Sequence, residues 1–509
     1  MTGRRGLIGI VTVLLFGMAL AACGGGGGGG NTGTATIQGS VPGTVFVAVD
    51  NDTNQVVKQV TATGTPKSFE MTIPTGKNYR FYVMENEGTV SSRIYPVYIG
   101  TSNVFGLDNN ANGKVISLGM VRPDMVTGNA IPAPPAPLDL MMSRGANAEV
   151  PSSLAGLTFS MDNVKGTTWG YNTMITSETM GWEHGTLSFD SNGQGHMSGI
   201  VRNGTSLPNI DNIPYTMSLS GMLLNPGDST FQCVVSRDMS VMVATFTDGT
   251  GGPAMMIAQK RGGTFAMDGL NMTGTWRFQR LTAGRDNTTS GWAHGTMEFV
   301  SGIAGITAGI TSITTNIGPG TNENFAFSMD ANGIMTETSG DTSFHGIMSM
   351  DRSMIVATDN SGGHPELWLM MKTTTASYST ADMMGDWVMH SVSSGNPGSR
   401  DWAYGHSVVD AGGANTFTQM MVSGVPVDNT TPMTFRMNGG EMTMGGTGGM
   451  TGGSMNGSGM SDGGMTGGGM MGGGMMTQTF HGIMNESKNL MVSTYTDGTG
   501  GYPFSIQVK

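Results

Sequence analysis

Met450, Met455, Met460, Met465, Met470 and Met475 follow one another at five-residue steps through a stretch, Gly448 to Met476, that is otherwise mostly glycine. Met471 and Met476 double the last two steps. Thioether sulfur is a soft donor that selects Cu(I) or Ag(I), and a slack chain can bring three such sulfurs to one ion. The same spacing puts the methionines on no single face of a helix or strand, as expansion of a short repeat would leave them. The eight residues are therefore read both as a Cu(I)-gathering comb and as a loop of biased composition.

Enzyme chemistry has few footholds. Gly459-Met-Ser461-Asp-Gly463 spells a nucleophile elbow, but it lies in the Gly/Met tract, without the strand and helix that strain such a serine into reactivity. There is no His-Glu-x-x-His, no haem-attaching Cys-x-x-Cys-His and no phosphate loop at a strand-to-helix junction. No enzyme is expected. Histidine and tryptophan offer binding chemistry instead. Trp182, Trp292 and Trp402 have rings that can stack on a sugar or an apolar ligand, or fill a core. His184 and His294, and His345 and His481, offer imidazoles to a metal or to local hydrogen bonds.

What must position these residues is a threefold internal repeat. "GTTWGYNTMITSETMGWEHGTLSFDSNG" from Gly166 aligns with "GTWRFQRLTAGRDNTTSGWAHGTMEFVSG" from Gly274 and "GDWVMHSVSSGNPGSRDWAYGHSVVDAGG" from Gly385. The copies span 154–262, 263–374 and 375–509, and six of the seven tryptophans occupy two repeat positions. The pattern is not uniform: the third copy has Tyr404 where the others have His184 and His294, with His406 two residues on. The first copy has Gln232 where the others have His345 and His481. Independent metal sites in each copy would be broken by these exchanges.

The middle copy reads as eight consecutive strands, from "GTWRFQRL" to "ELWLMMK", joined by hairpin signals. Each copy is therefore expected to be an eight-stranded antiparallel β-meander, barrel-like; two four-stranded blades per copy, giving a six-bladed β-propeller, is the alternative. A meander opening on Gly-x-Trp resembles the lipocalin and avidin-like barrels, in which that Trp plugs one end and a small ligand fits inside. The Gly/Met tract, taken as 437–476, falls between "MTFRMN" and "TFHGIM" of the third copy as an expanded hairpin. Such Met-rich loops resemble those of periplasmic copper-handling proteins.

Ahead of the repeats, 34–121 alternates in strand-length runs such as "TVFVAVD" and "SFEMTIPTG" and is expected to form a small β-sandwich. It resembles the transthyretin-like, carboxypeptidase regulatory-like modules, which implies a spacer or adhesive role. Residues 122–153, with "IPAPPAP", read as a Pro/Ala linker. The first 22 residues have the charged start and apolar run of an export signal. Their end, Leu20-Ala21-Ala22-Cys23, resembles a lipoprotein lipobox, which implies a lipidated Cys23, and Gly24 after it implies the outer membrane. Residues 23–33 then form a glycine tether. The architecture resembles uncharacterised bacterial envelope lipoproteins.

Formal net charge is −12, and more negative by two once Arg4 and Arg5 are cleaved off. That balance argues against nucleic acid as a partner. The expectation is a non-enzymatic, lipid-anchored outer-membrane lipoprotein that binds an envelope protein or polysaccharide, or serves as structure. It requires no cofactor, with Cu(I) binding through the Met-rich loop as the alternative.

Overall fold

The computed structural model describes residues 33–64, 66–262, 265, 272–302, 305–316, 318–338, 343–360, 363–427, 433–444, 480–497 and 500–509. Cys23 and the comb of Met450, Met455, Met460, Met465, Met470, Met471, Met475 and Met476 lie outside them. Among the described residues the chain is all β, with only short 3-10 turns, and no helix is long and apolar enough to cross a membrane.

The N-terminal module is a sandwich. One sheet has the order Ser68–Pro74, Thr34–Ser40, Val115–Asp124, Asn129–Ala133, and its middle pair is parallel. The facing sheet runs Met142–Ser143, Phe105–Leu107, Lys77–Glu85, Val45–Asp50, Gln55–Thr61, with Arg93–Pro96 also paired to Lys77–Glu85. Ile37, Phe46, Phe69, Phe81 and Leu118 fill the space between them, with the Phe46 and Phe69 rings stacked at 3.9 Å. The segment read as a linker belongs to this module. Asn129–Ala133 is the fourth strand of the first sheet and Met142–Ser143 an edge of the second. A proline at alternate positions of an edge strand removes no ladder bond, which is why "IPAPPAP" does not prevent pairing there.

The second and third repeats close on themselves, and the first curls in the same way with one break in its ladder. In the second copy eight strands, from Gly274–Thr282 to Glu366–Lys372, pair in sequence order, and the first also pairs with the last. The third copy closes in the same way, from Gly385–Gly395 to Gly501–Val508. In the first copy Ile210–Pro214 pairs back to the third strand and Thr216–Met217 forward to the fifth, so the position of the fourth strand is split at Tyr215 and the ladder is interrupted there. Barrels are thus the arrangement, and the propeller alternative is excluded by the first-to-last ladders.

The recurrent Trp-x-x-Gly has a steric cause. Beside Gly185, Gly295 and Gly405 the second strand shifts register against the third. A Cβ at Gly295 would lie 1.9 Å from the Ser312 carbonyl oxygen, and one at Gly405 2.6 Å from that of Gln419. Only glycine permits so close a crossing, and the bulge lets the strand curl into a barrel. Trp169, Trp276 and Trp387 are buried inside their barrels, and their indole N–H groups donate to Thr167 Oγ1, Met272 O and Met383 O at 2.8, 2.9 and 2.7 Å.

The Gly/Met insertion is shorter than its composition suggests. Glu441–Met444 is the fifth strand of the third barrel and pairs with Phe480–Met484. Met437 and Met442 point into that barrel's core. They are strand residues facing Phe435, Phe480 and Trp387, so the tract expands the connection after Met444 and not from Met437.

The largest apolar cluster lies inside no barrel. It gathers Met174, Val243 and Ile257 of the first copy, Leu281, Val356 and Leu369 of the second, and Val392, Val492 and Ile506 of the third. The seventh and eighth strands of the second copy and the first and eighth of the third are accordingly buried on both faces, whereas outer strands such as Met433–Asn438 alternate buried and exposed. Three barrels therefore pack about a common centre.

Candidate functional site

The repeat alignment shows how the barrels meet. Asn172, Gln279 and His390 hold one position on the first strand of their copies, and Thr245, Thr358 and Thr494 one position on the seventh. Thr358 donates to Asn172 Oδ1 at 3.0 Å and Thr494 to Gln279 Oε1 at 2.6 Å, while Thr245 Oγ1 lies 3.0 Å from His390 Nδ1. First strand of the first copy meets seventh of the second, second meets third, and third meets first. The contact is head-to-tail and closes after three units, the intramolecular counterpart of a cyclic trimer.

Trp182, Trp292 and Trp402 lie in these same joints, at 2–4% exposure. Trp292 Nε1 donates to Thr496 Oγ1 at 3.0 Å and Trp402 Nε1 to Thr247 Oγ1 at 2.8 Å, each bond crossing to the neighbouring barrel. The rings read either as ligand-stacking or as core thus lie with their faces against protein.

The histidines pair there as well. His184 stacks on His345 with ring centroids 3.6 Å apart, and His294 on His481 at 3.5 Å. Trp182 and Trp292 continue these stacks at 5.5 and 5.7 Å from His184 and His294. The third joint carries Tyr404 from one side and Gln232 from the other, so the two exchanges noted in the sequence coincide in one interface. Two joints keep a complete pair. Burial holds His184 at about 4 and His390 at about 3. Burial, reinforced by the stacked partner, holds His294 and His345 at about 3. Stacked neutral imidazoles of this kind serve packing; neither ring is free to be a general base in solvent.

Solvent reaches the centre at one end. The turns Ser236–Val241, Ser349–Met354 and Asn485–Leu490 are equivalent hairpins of the three barrels, and together they line a cavity of about 290 Å³. Each turn is built alike. Ser236 and Ser349 accept from the backbone N–H of Val241 and Met354 at 3.0 Å, as Asn485 Oδ1 does from Leu490, and Met239, Arg352 and Lys488 adopt positive φ. Asp238 is held below the usual carboxylate range by hydrogen bonds from Ser236, Ser240 and Asn489, which outweigh the opposing effect of burial. Asn489 reaches it from the third barrel at 3.4 Å. The cavity offers hydroxyl, amide and carboxylate groups, and lies at the small end of ligand pockets.

Sequence reasoning missed the joint residues Gln279, His390, Thr245, Thr358 and Thr494. Their signal was present in the unbroken apolar runs "MIVATD", "VMVATF" and "LMVSTY", which alternating one-sided burial cannot produce.

No family model matches the sequence, and no curated protein matches it. Among solved structures, the isotype 1 transferrin binding protein B from serogroup B Neisseria meningitidis is similar at 8% identity and a TM-score of 0.21, over 67% of this chain and 77% of that one. A protein of unknown function of the DUF3598 family from Nostoc punctiforme is similar at 7% identity and a TM-score of 0.18, over 69% and 97%. Intact Ap-TbpB, with its N and C lobes, is similar at 7% and 0.19, over 67% and 76%. Likenesses this remote assign neither a family nor a ligand.

Proposed function

We propose that the chain is a non-enzymatic, lipid-anchored outer-membrane lipoprotein whose ring of three barrels is a binding or structural module of the cell envelope. The observation that carries this reading is where the reactive side chains lie. His390 and the joint threonines Thr245, Thr358 and Thr494 are fully buried against other barrels, the stacked histidine pairs are half-buried there, and Cys233 is fully buried in the first barrel's core, where burial pushes its thiol far above the ordinary range. Solvent-facing polar groups converge instead at the axial cavity, where an envelope protein or polysaccharide would dock. The lipobox residues support attachment through Cys23. A Cys23→Ala variant should lose palmitate labelling and leave the membrane pellet for the soluble fraction. Unchanged pelleting, or a wild-type chain that takes no label, would remove the anchor from the proposal.

A second reading is Cu(I) handling by Met450, Met455, Met460, Met465, Met470, Met471, Met475 and Met476. What favours it is the pairing of Glu441–Met444 with Phe480–Met484, because a tract between two adjacent strands of a closed barrel can acquire a task without disturbing the scaffold. Deleting 445–479 should abolish Cu(I) binding in a titration against a competing chelator and shift the melting temperature by only a few degrees. Affinity unchanged by the deletion would end this reading.

A further inference from the structure

The N-terminal module is fixed to the repeats through charged and polar side chains that sit in full burial. Arg93 donates to the carbonyls of Ser220 and Val235 at 2.5 and 2.8 Å. Asn86 and the backbone of Asp386 exchange two hydrogen bonds, at 2.9 and 3.0 Å. Beside this contact, Glu85 from the end of Lys77–Glu85 faces Asp386 on the first strand of the third barrel and His406 on its second.

One ligand atom from each of Glu85, Asp386 and His406 falls within a 4.8 Å cluster, and all three residues are buried. Glu85 Oε1 and His406 Nε2 are 2.8 Å apart, an ion pair when the imidazole is protonated, but without that proton neither atom has a hydrogen-bond donor, and neither Asp386 oxygen has a hydrogen-bond partner. His406 is the only side chain able to carry positive charge within ion-pair distance of either carboxylate among the described residues. Leaving a buried polar atom unpaired costs about 1–3 kcal/mol, and more for charged groups, so four in one place call for a common partner.

The donor set identifies the class of that partner. Thr418 Oγ1 lies 3.3 Å from the His406 carbonyl, to which it donates, and 2.6 Å from Nδ1. With Thr418 Oγ1 accepting from Nδ1–H, loss of the Nε2 proton turns a lone pair toward Glu85, the form of the ring that a cation would bind. Metal-bound histidines are oriented by this kind of bond from the other ring nitrogen. Two carboxylates and one imidazole form an N/O donor set that suits Zn²⁺ and its divalent neighbours and not Cu(I).

The repeats supply an internal control. Asp386 aligns with Thr168 and Thr275, and His406 with Thr186 and Thr296. Both positions are threonine in the two barrels that Glu85 does not reach. The changes to Asp and His occur together, in the one copy facing it.

We infer that Glu85, Asp386 and His406 bind a structural divalent transition-metal cation of the zinc class, which clamps the N-terminal module to the third barrel. One carboxylate binding through both oxygens completes four donors, and full burial leaves no open position for substrate.

The test uses the full chain, refolded in the presence of Zn²⁺ so that the cation has access, then dialysed against a weak chelator. The wild type should retain one equivalent of zinc more than the double variant D386T/H406T, which carries the residues the other barrels fold with. Co²⁺ loaded in its place should give the visible bands of nitrogen and oxygen ligation in the wild type, and those bands should be lost in the variant. Stripping with a strong chelator should lower the wild-type melting temperature and leave that of the variant unmoved. Equal zinc in both proteins, or none in either, overturns the assignment and leaves a triad joined by protons.

Discussion

Lowering the pH from 7 to 5 is expected to destabilise the ring of barrels well before ordinary surface groups respond. An imidazole whose folded pKa lies below its unfolded value of about 6.5 contributes fully above that value and progressively less as the pH falls toward the folded one. His184 at about 4, and His294, His345 and His390 at about 3, all fall in this class. Each loses about 2 kcal/mol by pH 5. Asp401 works the other way. Burial with the charge of Asp497 raises it to about 6, so it regains about 1 kcal/mol on acidification. The net loss at pH 5 is on the order of 6 kcal/mol, a large part of the 5–15 kcal/mol that holds a domain folded. Urea midpoints at pH 7.5, 6 and 5 measure it. Transplanting the third joint's residues into the first, as His184→Tyr with His345→Gln, should remove a substantial part of the slope. A midpoint independent of pH over this range would show that the stacked imidazoles are not held neutral.

Trp402→Ala is expected to cost about 3–5 kcal/mol, as for a large aromatic removed from a core. Trp402 is 2% exposed, stacks on Tyr404 at 5.8 Å and donates across the joint to Thr247 at 2.8 Å. The loss should fall on the contact between third and first barrels, so amide exchange should accelerate along Val241–Thr247 more than in the second barrel. Trp402→Phe keeps most of the volume but leaves Thr247 without its donor, for about 1 kcal/mol. Stability unaltered by Trp402→Ala, with loss of binding on a glycan array, would instead return the ring to a ligand-facing role.

The strand pattern of each copy was legible because alternation, hairpin residues and repetition agree: "GTWRFQRL" through "ELWLMMK" are the eight strands of the second barrel. The Pro/Ala stretch was misread because proline composition resembles a spacer, whereas the edge position that tolerates proline is a property of the sheet. Met437 and Met442 were assigned to the insertion for a similar reason. A methionine in a loop and one in a barrel core look alike until the ladder to Phe480–Met484 is known.

The sequence by itself determined the local events: where strands run, where Trp-x-x-Gly must bend them, and that the copies share one plan. It also held the odd substitutions, Tyr404 and Gln232, Asp386 and His406, without saying what they face. Only the tertiary structure decided that the first pair meets in one joint and that the second meets Glu85, more than 300 residues away in the chain. Local pattern records which face of a strand is buried, because burial selects side chains one by one. Which surface buries it depends on how closed barrels pack, and no periodicity within a strand encodes that.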